Sequence, residues 1–152
     1  MKNLLKIITI SSIILNIVLI YLFVIKGSTF ESKDTRTGIK MSESNKEFVL
    51  DEMRTFLASI EQINEGLLEN NPQTIIDAGL ISGGSVIENA PNGLLKTFPI
   101  GFKTLGFSTH QLFDDIVSST KQEFNKTKIQ KKMDLLLKNC VSCHKTYKIA
   151  ID

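Results

Sequence analysis

VLDEMRTFLASIEQINEGL, from Val49 to Leu67, decides the fold. Its apolar residues Val49, Met53, Phe56, Ile60, Ile63 and Leu67 recur at alternating spacings of four and three, which puts all of them on one narrow stripe of an α-helix. Asn70, Asn71 and Pro72 then stop the pattern.

Working outward, the periodicity stays helical. A second segment, from Pro72 to about Asn89, carries Ile76, Leu80, Gly83 and Ile87 on one face. Gly79, Gly83 and Gly84 make it a poor helix by propensity, so packing has to hold it. Close helix crossing is the ordinary reason for such glycines, and room for a cofactor is the alternative. A turn at Ala90 to Asn92 and an irregular stretch to Pro99 lead to a third segment, marked by Phe102, Leu105, Thr109, Leu112, Phe113, Ile116 and Thr120. The fourth, from Thr127 to Ile149, shows Ile129, Met133, Leu136, Leu137, Cys140, Cys143, His144 and Tyr147. No alternating pattern of strand length stands out. The expected fold is all-α, an antiparallel four-helix bundle with an N-terminal transmembrane helix. In that layout the starts of the first and third helices share one end of the bundle with the finish of the fourth.

Ahead of the bundle, Ile7 to Ile25 is apolar or hydroxyl-bearing apart from Asn16 and is bracketed by Lys6 and Lys26, long enough to span a bilayer. Gly27 and Ser28 offer only a poor small-x-small cleavage site, which favours an uncleaved signal anchor over a cleaved signal. The expected organisation is an anchor over 1–26, a linker over 27–43 rich in Ser, Thr, Lys and Gly, and one domain over 44–152. Of the 18 basic residues, Lys2, Lys6 and Lys26 flank the apolar run, leaving 15 against 16 acidic ones. So even a balance gives no support to nucleic-acid binding.

The chemistry lies in Cys140-Val141-Ser142-Cys143-His144, the C-x-x-C-H pattern of covalent haem attachment. On a helix the two thiols and the imidazole project from one side, so the thiols can add to two vinyl groups while the imidazole reaches the iron. That side coincides with the core stripe of the fourth helix. The alternatives are a redox dithiol, which normally sits at a helix start, and a metal site completed by His110. The haem reading implies one haem c per chain, held by Cys140, Cys143 and His144. It also fixes the side of the membrane, because c-type attachment is chemistry of the outer face. The expected location is therefore the periplasmic side of the bacterial inner membrane, with a single-pass anchor; a cleaved signal and a soluble periplasmic protein form the alternative.

His144 alone leaves the iron five-coordinate. Met53 is the expected second axial ligand, since it lies near the start of the first helix on the apolar stripe; core packing is the alternative role. Met133 sits eleven residues before His144 on the same helix, about 16 Å away along the axis. His110, at the edge of the third stripe, is the runner-up.

A haem motif near the C-terminus of a four-helix chain, continued as Tyr147-Lys148, resembles the cytochrome c-prime family and its low-spin, Met-ligated relatives. The likeness spans Ser44 to Ile149, and Glu52-Met53-Arg54 resembles the segment where low-spin members carry their Met ligand. The resemblance implies that Lys148 lies beside the haem histidine, that Tyr147 packs near the haem, and that a homodimer is open as a state. The apolar N-terminus and the glycine-rich second segment depart from the family. Taken together, these residues point to an electron carrier with His144 and Met53 on the iron and no substrate turned over. The rival is a five-coordinate haem protein binding or sensing NO or CO. Eight lysines between Lys121 and Lys148 either face water or form a ring that attracts an acidic redox partner.

Overall fold

The computed structural model describes residues 2–31 and 34–151, so Met1, Asp152 and two positions of the expected linker lie outside it. The chain is predominantly helical. Helix α1 (Lys2–Ile20) continues as a π-helical stretch, Tyr21–Lys26. Together they form a continuous 25-residue helical span, Lys2–Lys26, whose most apolar window has mean hydropathy 2.6, with none of that window buried against the rest of the protein. At about 1.5 Å per residue this covers roughly 37 Å, enough to cross a hydrocarbon core of about 30 Å. Membrane anchors and signal sequences share that property.

The remaining long helices are α2 (Glu43–Glu69), α3 (Pro72–Ser82), α5 (Ile100–Gln122) and α6 (Lys126–Thr146), with a single-turn α4 (Leu94–Thr97) before α5. Their starts are capped locally. Ser42 accepts from the Asn45 amide, Asn71 from the Gln73 and Thr74 amides ahead of Pro72, and Asn125 from the Lys128 amide. Asn70 ends α2 in the left-handed conformation, at φ 58°.

Successive long helices pack antiparallel. Ser59 meets Ser82 while Gly66 faces Ile75, Gly79 faces Val117 while Ser82 meets His110, and Lys132 meets Asp115 while Asn139 meets Ser108. One core draws on all of them: Ile63 and Leu67 from α2, Ile75 and Ala78 from α3, Phe113 and Ile116 from α5, and Ile129, Met133 and Leu136 from α6. Gly79, the one glycine within α3, serves close crossing. A Cβ on Gly79 would lie 2.5 Å from the Val117 side chain, so α3 and α5 approach more closely there than alanine allows. Among the described residues every buried side-chain polar atom has a partner.

Three departures from the expected layout matter. The second segment is helical only to Ser82 and then tightens into a 3-10 stretch, Gly84–Asn89, after Gly83 and Gly84. The expected linker is ordered where described: β1 (Thr29–Glu31) pairs antiparallel with β2 (Thr37–Met41), and Phe30 lies opposite Gly38. The fourth segment does not run helically to Ile149. Helix α6 ends at Thr146 and the chain continues as β3 (Tyr147–Ile151), parallel to β2 with Thr37 opposite Tyr147 and Met41 opposite Ile151. Burial drives this sheet, since Ile39 and Met41 of β2 vanish into a second core with Val49, Leu94, Phe98 and Phe102.

Candidate functional site

Helix α6 carries Cys140, Cys143 and His144 within about one turn, at positions i, i+3 and i+4, so the three side chains share a face. That face forms one wall of a cavity of about 550 Å³, inside the range of roughly 300–1,000 Å³ common for cofactor sites. Its other walls come from the first half of α2 (Phe48, Val49, Glu52, Met53, Phe56, Ile60), the segment before α5 (Ile87, Ala90, Leu94, Leu95, Phe98) and the first half of α5 (Phe102, Lys103, Leu105, Phe107, His110). The end of the fourth long helix thus meets the starts of the first and third.

Met53, Cys140, Cys143 and His144 all line this space. Met53 and Cys143 are partly buried and pack against the second core. Tyr147 and Lys148 do not line it. Tyr147 stands one layer behind, its ring edge-on to Phe102 at 5.5 Å, and burial pushes its hydroxyl pKa up. Lys148 lies in β3, and its ammonium is 3.6 Å from Asp34.

The electrostatics of the thiols discriminate between readings of the pair. A redox dithiol depends on thiols made acidic at a helix start. Here both stand at the finish of α6, and burial raises the pKa of each. Cys143 is pushed to about 11, by burial first and by neighbouring Cys140 second. Among the described residues no group of three His, Cys, Asp or Glu side chains is placed to hold a metal ion.

Sequence spacing puts His110 at a stripe edge, yet the structure buries it. Its Nδ1 lies 2.9 Å from the Ser82 carbonyl, which can only accept, so Nδ1 carries the proton. Nε2 then faces the Glu52 carboxylate at 3.5 Å, and Phe56 closes over the ring edge-on at 4.9 Å. Glu52 is held above the usual carboxyl range by burial, an effect that His110 partly offsets. Ser59 and Ser82 extend the polar chain through a buried hydroxyl contact of 2.8 Å. The signal for this pair was modest: Glu52 precedes Met53, and Ser82 stands just before Gly83 and Gly84, where a helix loses its partners.

Comparison with protein-family models, with curated proteins and with solved structures returned no match. The residues of the site must therefore speak for themselves. An apolar cavity with two thiols and an imidazole on one wall, and a thioether on the helix that forms another, suits a covalently held haem in both donor set and polarity. The same cavity offers a second nitrogen donor at His110, whose ring orientation is fixed from behind by the Ser82 carbonyl.

Proposed function

We propose that this protein is a membrane-tethered, monohaem c-type cytochrome that carries electrons on the periplasmic side of a bacterial inner membrane, its helices α2, α3, α5 and α6 acting as an antiparallel four-helix bundle. One observation carries the reading: the C-x-x-C-H face of α6 lines an apolar cavity that Met53 also lines. Cys140 and Cys143 would hold the haem by thioether links, with His144 and Met53 as axial ligands. When bound, haem supplies a one-electron Fe(III)/Fe(II) couple.

The chain contributes confinement and orientation. Leu94, Phe98 and Phe102 are buried and give the cavity apolar walls, and an apolar lining with a thioether ligand would favour the reduced, less charged form. Lys145, exposed beside His144, and the other lysines of α6 supply positive charge for meeting an acidic partner. The N-terminal helix, read as a retained anchor, keeps the carrier at the membrane.

A specific observation supports the rival. Met53 packs against the second core as a space-filling side chain does, and a haem without a Met ligand would present an open face to NO or CO. Visible spectra of the exported protein, oxidised, reduced and reduced with CO, separate the two for wild type and Met53→Ala. The proposal expects a low-spin wild type that turns high-spin and CO-reactive on Met53→Ala. An unchanged low-spin variant transfers the ligand role to His110, and a CO-reactive wild type establishes the rival. A bare polypeptide mass in properly exported material overturns both.

A further inference from the structure

The end of the membrane-spanning helix is fastened to the same edge of the domain that frames the cavity. Lys103 Nζ donates to the Phe23 and Val24 carbonyls at 3.4 and 3.2 Å, meeting acceptors that a helix terminus leaves without partners. Ser28 donates its amide to the Thr97 carbonyl at 2.8 Å. Between these contacts lies Gly27, at φ +62°, where a Cβ would come within 2.6 Å of the Thr97 and Phe98 backbone. Only glycine gives the chain both that turn and that approach. The span therefore meets α4 and the start of α5 backbone to backbone, not through a slack tether.

Apolar side chains stand open on this edge. Leu95 of α4 is 37% exposed, and Ile100 and Phe107 of α5 are 46% and 42% exposed. Ile100, Lys103 and Phe107 lie on one face of α5, at spacings of three and four, so the lysine gripping the span sits between two exposed apolar residues. Leu95, Lys103 and Phe107 also line the cavity. Lys26 and Lys96, both exposed, add positive charge here, the sign that anionic lipid headgroups attract. With the last turn of the span at the membrane boundary, side chains one or two turns from its hydrogen-bonded partners fall at headgroup depth.

We propose that the edge carrying Leu95, Ile100 and Phe107 rests in the headgroup layer of the bilayer, so that the cavity opens beside the lipid surface. This rests on the retained anchor of the reading above, but not on haem. It explains why a domain outside the membrane leaves these apolar groups uncovered, and it gives the cavity a membrane-facing neighbour in place of bulk water.

The chain contains no tryptophan, so single substitutions report depth cleanly. Full-length Leu95→Trp and Ile100→Trp are reconstituted in nanodiscs of mixed neutral and anionic lipid, with or without brominated acyl chains, and the ratio of the two intensities removes any quenching by haem. Leu68→Trp is the control; Leu68 is exposed and lies about 22 Å along α2 from Met53. The proposal expects at least twofold stronger quenching by brominated lipid at positions 95 and 100 than at 68. Equal quenching at all three, in protein whose mass retains residues 1–26, overturns the proposal and leaves the anchor intact. Mass showing those residues removed from mature protein overturns the anchor and the proposal together. Because 95 and 100 sit on different helices, failure of one variant to fold leaves the other to decide.

Discussion

Cys143 tests what the thiol pair is for. Its sulfur is packed against the core that contains Val49, Leu94 and Phe102, and the cost of placing a thiolate there raises its pKa from 9.0 to about 11. At pH 8 that change lowers the thiolate population about 100-fold, since each pKa unit is a factor of ten below the midpoint. Only the thiolate is alkylated, so iodoacetamide should modify Cys143 in full-length protein made without haem about 100-fold more slowly than in the same protein unfolded in urea. Peptide-resolved mass spectrometry separates it from Cys140, which burial also slows. Simple shielding of the sulfur would slow the reaction by a constant factor at every pH. A raised pKa instead keeps the rate climbing about tenfold per pH unit to pH 10. A rate that levels off near pH 7 would mean an acidic thiol and would favour a redox dithiol instead.

Three further outcomes follow from the packing and the charges. Phe113 is fully buried at the centre of the main core, so Phe113→Ala should cost about 3–5 kcal/mol; a loss under 1 kcal/mol in urea unfolding would contradict the placement of the core. Glu52 has a folded pKa above its unfolded value, mainly through burial, so its ionised form weakens the fold and stability drops as pH rises from about 4.5 through the raised value. Glu52→Gln should therefore gain on wild type at pH 8 and lose that gain below pH 4, and an equal difference at both would refute the assignment. Gly27→Ala forces a Cβ against the Thr97–Phe98 backbone, and limited trypsin digestion after Lys26 in nanodiscs should speed up several-fold while the thermal midpoint of the domain stays put; unchanged cleavage would mean that the junction does not need glycine.

The helices were legible because their apolar residues repeat at the helical period and their ends carry local stop and start signals, Asn70-Asn71-Pro72 and Asn125 among them. The sheet was not, for a reason that spacing cannot convey. Thr37-Gly38-Ile39-Lys40-Met41 is polar enough to read as a linker, and Ile39 and Met41 become core only once β3 lies alongside. Tyr147 and Ile149 fit the end of a helical stripe and the alternation of a strand equally well. The choice falls to β2, a partner far away in sequence, whose unpaired backbone and buried face outweigh one more helical turn.

The same limit explains why spacing brought Cys140, Cys143, His144 and Met53 to one cavity but left His110 at its margin. The first four are stripe positions on helices joined by mostly short connections. His110 is held by something no stripe encodes: the carbonyl of Ser82, the last residue of α3, freed because Gly83 and Gly84 end that helix. The glycines that cost α3 its length thus leave an acceptor for the His110 ring, and the ring in turn turns its other nitrogen toward Glu52. Substituting those glycines should therefore disturb the cavity before it disturbs the core, since Gly83 already lies against the Asp114 carboxylate and Gly84 donates its amide to the same group at 3.0 Å.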